Sequence, residues 1–337
     1  MVTTLDDSSS GGVDSLDADW PVRCRSVYVE YGDLVAVDGA SFSAKRGEIV
    51  GLLGPNGAGK TSLIRALTTI LPATDGDASV AGFGLDEPDE IRQRIGVVPE
   101  SSGYPAGLSA NDYVRYHGQL YGLSNSDASE RATKLLERVG LSERAHSRIG
   151  SFSRGMRQRL GIARALINSP EVMFLDEPTL GLDPGGQEEI LHQIRTIADQ
   201  DDATVVITSH ILADIERICD RVVIMHEGRV VADGTLNEVI TISGVPDSLS
   251  LQIGSNHMRE AMKLLDAMPD VGNATQDTGM PNAIDIELVP ESPAAANEIL
   301  KSLLLQGIEI RAFEHRGSRL NDAFLALTTE TDKGATP

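Results

Sequence analysis

Residues Ile49–Ser62 read IVGLLGPNGAGKTS. Ile49–Leu53 is a short apolar run of the kind a buried strand shows. Gly54, four further residues, then Gly59, Lys60 and Thr61 match G-x-x-x-x-G-K-[ST], and the apolar stretch Leu63–Leu71, broken by Arg65, follows at helical spacing. Strand, loop and helix therefore come in the order this motif needs. Gly54, Gly57 and Gly59 let the backbone curl so that successive N–H groups face one anion, and the following helix adds its positive end. Gly54, Pro55, Asn56, Gly57, Ala58, Gly59, Lys60, Thr61 and Ser62 are thus the candidate phosphate contacts. Lys60 is placed to reach the β- and γ-phosphates of a nucleoside triphosphate, and Thr61 to ligate Mg²⁺. The plainer reading is a glycine turn between a strand and a helix, and the flanking segments weigh against it.

The rest of the composition bounds the class. A chain of 337 residues has room for two domains, and its 41% hydrophobic content suits a soluble globular fold. No apolar run approaches the roughly 18 residues of a membrane-spanning helix. Residues 1–20 are acidic and rich in Ser and Gly, without the basic and apolar regions of a secretory signal, and are expected to be a disordered tail. Cys24 and Cys219 fit no metal spacing and are expected to be free, partly buried thiols in a reducing compartment. The formal charge of −21 lacks the basic footprint of a nucleic-acid binder, so no nucleic acid is expected as partner. The acidic, lysine-poor composition resembles proteins of salt-loving organisms, where screening tolerates self-repulsion.

Further along, Val27–Tyr31 and Ala40–Phe42 are strand candidates. Tyr31 lies upstream of the phosphate loop, where an aromatic ring can stack on a base or simply join the core. Gly96-Val97-Val98-Pro99-Glu100 reads as a strand ending in a polar residue, where open α/β sheets place ligand contacts. Residues 104–168 read as a helical insertion, with a capping-type start at Asp127 and Glu130. Glu171–Thr179, EVMFLDEPT, is an apolar strand ending in two acids. Beside a phosphate loop, Asp176 is placed to hold Mg²⁺ and Glu177 to orient or deprotonate an attacking water. Ala203–Thr208 is another apolar strand, followed by Ser209-His210; a γ-phosphate contact from His210 competes with an ordinary surface role. Residues 245–330 alternate strand and helix patterns and read as a small α+β domain with no catalytic constellation. Its methionines are expected to be core.

Together these stretches resemble the ATP-binding subunit of an ABC transporter over residues 22–240. The deciding segment is Phe152-Ser153-Arg154-Gly155-Met156-Arg157-Gln158-Arg159, which looks like the family signature and sits just ahead of the FLDEP strand. The resemblance implies an α/β P-loop ATPase domain over residues 21–242: a RecA-like core, an antiparallel β subdomain and the helical subdomain. It implies that Ser153, Arg154, Gly155 and Met156 meet ATP held by a second copy of the chain, so that ATP joins two subunits and hydrolysis parts them. Tyr31 is similar to the base-stacking aromatic, Glu177 to the catalytic glutamate, and His210 to the switch histidine. Gly181-Leu182-Asp183 looks like the loop that crosses to the partner. Two positions depart from the pattern. Arg154 replaces the first signature glycine, and Glu100 stands where the family has a glutamine that contacts Mg²⁺. A carboxylate still suits a hard cation, but it lacks the amide donors.

GLLGPNGAGKTS, the VPE loop and Asn321-Asp322-Ala323-Phe324 further resemble subunits paired with ABC-2-type permeases, typically exporters. The expectation is an ATPase that uses ATP and Mg²⁺, lies peripherally on the inner face of the cell membrane and powers a separate permease. The alternatives are a non-transport ABC ATPase acting on ribosome or DNA, and a small-molecule kinase. A single nucleotide domain, the short spacing from Lys60 to Asp176 and the signature argue against them.

Overall fold

The computed structural model describes residues 19–100, 103–245, 248–254, 256–277, 279–280, 282–289, 295–315 and 319–334. Residues 1–18 of the expected acidic tail lie outside them. The chain forms two compact units that divide between Thr235 and Leu236.

In the first unit, β1 (Val22–Tyr31) and β2 (Leu34–Ala44) make a hairpin turned by Gly32-Asp33, longer at both strands than the short apolar runs suggested. Next come β3 (Ile49–Leu53), the phosphate loop and α1 (Lys60–Leu67). β4 (Asp75–Val80) and β5 (Phe83–Gly84) return to the hairpin and complete an antiparallel sheet of order β2-β1-β4-β5. α2 (Pro88–Arg94) leads into β6 (Ile95–Val98). The helical insertion holds α3 (Ala110–Leu120), α4 (Asn125–Arg138) and α5 (Arg154–Ala165). Then follow β7 (Val172–Asp176), α6 (Pro184–Asp201), β8 (Thr204–Thr208), α7 (Leu212–Ile218), β9 (Arg221–His226) and β10 (Arg229–Gly234).

The second sheet has the order β10-β9-β3-β8-β7-β6. It is parallel except for the β9–β10 hairpin around Glu227-Gly228. Every residue of β3, β7 and β8 is buried, which is why these strands read as unbroken apolar runs rather than alternating ones. Leu52, Leu53 and Phe174 are among the largest fully buried side chains; each withdraws apolar surface worth about 1.5–3 kcal/mol. The start of α4 differs from the expectation. Ser124 is the N-cap, its hydroxyl accepting from the N–H of Asp127 at 3.2 Å, so Asp127 lies inside the helix. The Ser124 side chain bends back to the third helical N–H, the position Asp127 occupies.

The second unit begins with α8 (Leu236–Ile242), ahead of the boundary after residue 242 that the resemblance implies. It continues through β11 (Ser248–Ile253), α9 (Met258–Leu265), β12 (Val271–Gln276), β13 (Ala283–Leu288), α10 (Ala295–Leu305), β14 (Ile310–His315) and α11 (Arg319–Gly334). The sheet order β12-β13-β11-β14, antiparallel throughout, makes β11 to β14 a split βαββαβ, or ferredoxin-like, unit. β12 escaped the sequence because VGNATQ is mostly exposed and carries little apolar pattern. Met258, Met262 and Met268 pack on the core of this unit, as expected of them.

Candidate functional site

The phosphate loop joins the end of β3 to α1. Gly59, the N-cap of α1, has φ +99°, and a Cβ there would lie 2.3 Å from the Ala36 carbonyl oxygen, so no side chain is admitted. No side chain caps α1, and no acid occupies its first turn. Its leading N–H groups therefore remain available to an anion, in contrast to α3 and α4, which serines cap. Lys60 is buried, and its ammonium donates to the carbonyl oxygens of Gly54 at 2.7 Å and Pro55 at 3.1 Å. Burial lowers the Lys60 pKa from its ordinary value, opposed by the nearby carboxylates of Glu177 and Asp176.

Sheet order brings the acids to this loop. β3 pairs with β8, and β8 with β7, so the ends of three strands lie side by side. Thr61 Oγ1 lies 3.3 Å from Asp176 Oδ2, and Thr208 Oγ1 lies 2.7 Å from Asp176 Oδ1. Glu177 leaves the strand in the left-handed region, at φ +53°, where a side chain with a Cβ costs roughly 1–2 kcal/mol. Its N–H donates to Thr208 Oγ1 at 2.9 Å. Its Oε2 lies 2.6 Å from Nδ1 of His210 and 3.3 Å from the His210 backbone N. A carboxylate only accepts, so Nδ1 donates. The neutral ring then presents Nε2 as an acceptor, and the imidazolium presents it as a donor. Tyr31, Asn56, Gly57, Ala58, Gly59, Lys60, Thr61, Ser62, Glu100, Asp176, Glu177 and His210 all line one cavity of about 530 Å³. Tyr31 stands half-exposed at its mouth, with its hydroxyl 3.4 Å from Ser62 Oγ.

The family described as ABC transporter matches residues 37–180. The linearmycin resistance ATP-binding protein of Bacillus subtilis is 32% identical over 92% of this chain and 99% of its own length. The chain belongs to the ATP-binding subunits of ABC transporters. It is 34% identical to the daunorubicin/doxorubicin resistance ATP-binding protein of Streptomyces peucetius, over 88% of this chain and 89% of that one. It is 32% identical to a Nod factor export ATP-binding protein of Burkholderia orbicola, over 91% and 97%. Among solved structures, the ATP-binding subunit of an ABC transporter superposes with a TM-score of 0.61 at 32% identity, covering 66% of this chain and 93% of that one. A dimeric ATP-binding cassette in a post-hydrolysis state with ADP and Pi gives 0.58 at 26%, covering 64% and 98%. The fold is thus that of the ABC ATPases, and the chain is an ATP-hydrolysing subunit. The ribosome- or DNA-directed alternative finds no support among these relatives.

The other positions expected of an ABC ATPase lie outside the cavity. Ser153 caps α5, its hydroxyl accepting from the N–H of Met156 at 3.2 Å. Arg154 begins the helix, exposed, with its guanidinium against Gly181. Gly155 faces Leu182, whose Cδ2 would lie 3.8 Å from a Cβ placed there. Asp183 is the N-cap residue of α6 and is exposed. Within one chain, then, the signature and the loop at Gly181-Leu182-Asp183 touch each other, and neither reaches the phosphate loop's cavity.

The cavity also holds residues the motifs did not point to. Leu34, Val35 and Ala36 at the start of β2 form an apolar wall beside Tyr31, with Leu34 64% exposed. Nothing in the run of residues marks them, because the hairpin of β1 and β2 is what leaves these apolar side chains exposed beside the ring. Thr208 was legible only as the polar end of an apolar strand. Thr179, whose hydroxyl donates to Asp214 Oδ2 at 2.7 Å with both residues buried, gave no signal.

Proposed function

We propose that the chain powers an ABC-2-type export permease by an ATP-driven cycle of dimerisation, from the inner face of the cell membrane. The observation that carries this reading is the convergence of Lys60, Thr61, Asp176, Glu177 and His210 on one cavity at a helix N-terminus. The named export and resistance functions of relatives matched over nearly their whole length support the choice of an exporter.

In this reading the open N–H groups of Gly57 and of residues 59–62, together with the Lys60 ammonium, bind the β- and γ-phosphates, while the Ala58 N–H is held by the Pro55 carbonyl oxygen at 3.1 Å. Lys60 trades its two loop carbonyls for phosphate oxygens, a stronger, charge-assisted pairing. Tyr31 and the wall at Leu34-Val35 take the base. Glu177 accepts the proton of the attacking water, and His210 holds Glu177 in place while its other ring nitrogen faces the γ-phosphate. The oxygens of Thr61 and Asp176, side by side in the cavity, fit Mg²⁺, with Glu100 as a further oxygen donor. Among the described residues no three His, Cys, Asp or Glu converge to hold a metal, which suits an ion that takes the rest of its shell from phosphate and water. When bound, Mg²⁺ neutralises charge on the phosphate oxygens.

Ser153, Arg154, Gly155 and Met156 present a helix N-terminus to the γ-phosphate on a second copy, and Asp183 crosses with them. That none of them lines the chain's own cavity supports this role. Glu177→Gln should trap the ATP-bound pair. Purification of that variant from native membranes in ATP should bring down a multi-spanning permease, and recovery of ribosomes or DNA instead would sink the proposal.

A further inference from the structure

We propose that Thr208 is a positioning residue of the hydrolytic site, its single hydroxyl setting both the metal-facing carboxylate of Asp176 and the backbone turn at Glu177. The inference rests on the reading of the cavity as an ATP and Mg²⁺ site.

Asp176 and Thr208 are the last partners in the parallel ladder of β7 and β8. Beyond that pair the chain turns at Glu177 into the left-handed region, and the Glu177 N–H leaves the ladder. Its acceptor is a side chain instead, Thr208 Oγ1 at 2.9 Å. A hydroxyl that accepts from an N–H keeps one proton to give, and here that proton goes to Asp176 Oδ1 at 2.7 Å. The direction of the chain of hydrogen bonds is therefore fixed, from the Glu177 N–H through the Thr208 hydroxyl to the carboxylate.

The consequence lies at the other carboxylate oxygen. With Oδ1 engaged by Thr208, Oδ2 is the oxygen left toward Thr61 and the cavity. Thr208 is fully buried, so its hydroxyl depends on these two protein partners, and losing it leaves the Glu177 N–H without its acceptor. Valine has the same shape and suits a buried strand at least as well. The hydroxyl at this position thus serves the two acids rather than packing. Outer hydrogen bonds of this kind orient a metal-binding group and tune its affinity.

The test compares the full chain with Thr208→Val and Thr208→Ser. Binding of a fluorescent ATP analogue is titrated in EDTA and then with Mg²⁺, beside steady-state hydrolysis. In Thr208→Val the affinity in EDTA should stay within about twofold, while the Mg²⁺ concentration for half-maximal effect rises about tenfold or more. kcat should fall with KM little changed, because Glu177 turns away from the water without losing the nucleotide. Thr208→Ser keeps the hydroxyl and should restore the Mg²⁺ dependence to within about threefold. Wild-type kcat and Mg²⁺ dependence in Thr208→Val would overturn the proposal, as would a serine variant as impaired as the valine one. If the valine variant fails to fold, the serine variant decides alone: a tenfold loss in Mg²⁺ dependence refutes the role of the hydroxyl. A wild-type chain that gains nothing from Mg²⁺ would instead overturn the reading of the cavity, and this proposal with it.

Discussion

Oε2 of Glu177 and Nδ1 of His210 lie 2.6 Å apart, joining the turn after β7 to the turn after β8. The two residues act as a unit in that geometry, because each fixes the other's orientation. Glu177→Gln and His210→Ala should each lower kcat by about 10²–10⁴. The double variant should be little worse than the worse single one, since the parts of one unit do not contribute independently. Phosphate release under single-turnover conditions measures this, and losses that multiply would show that the two side chains work separately.

The two inner glycines of the phosphate loop should respond differently to alanine. At Gly59 a Cβ meets the Ala36 carbonyl oxygen at 2.3 Å, whereas at Gly57, φ +86°, nothing lies within 4 Å. Gly59→Ala should destabilise the first unit by about 2–3 kcal/mol and remove nucleotide binding, the combined cost of strain and collision. Gly57→Ala should cost about 1 kcal/mol from backbone strain alone. Urea denaturation separates the cases, and equal losses would mean that the loop shifts to make room.

The buried bond from Thr179 to Asp214 ties the segment after Glu177 to α7. Thr179→Val should leave the Asp214 carboxylate short of a donor and cost about 1–3 kcal/mol. Thr179→Ser should cost less than half as much. A valine variant of full stability would show that Asp214 finds another partner.

His117 carries a pH dependence of stability. Burial, with a smaller contribution from the nearby Arg164 charge, pushes its pKa from 6.5 down to about 4. The folded chain therefore holds the ring neutral while the unfolded chain protonates it below pH 6.5. The unfolded state binds the extra proton, so stability present above pH 6.5 falls as the pH drops toward about 4. The ring is only partly buried, which reduces the effect to about 1 kcal/mol. In His117→Gln the stability curve between those two pH values should be flatter by that amount, and identical curves would show that His117 titrates alike in both states.

The legible part of the site was its contiguous chemistry. The phosphate loop, the acids at the end of β7 and the signature at the start of α5 each lie within a few residues, and each motif carries its own local geometry. The strand ends were legible as well, because buried parallel strands read as unbroken apolar runs. β12 was not, since an exposed edge strand carries almost no pattern. Nor was the start of α8, which the boundary at Thr235 assigns to the second unit. Leu34 and Val35 beside Tyr31 escaped because only the hairpin of β1 and β2 sets them at the cavity's mouth.

By itself the sequence determined the family, the order of the motifs and the identity of the groups that meet phosphate. Backbone N–H directions in a glycine loop depend on neighbours along the chain, so a contiguous stretch suffices to specify them. Only the tertiary structure decided that β8 lies between β3 and β7. That order puts His210 on Glu177, Thr208 on Asp176 and both acids beside Lys60 and Thr61. These contacts join residues far apart in sequence. They exist because buried apolar strands find their places in one sheet, and no local pattern of residues records which strand becomes whose neighbour.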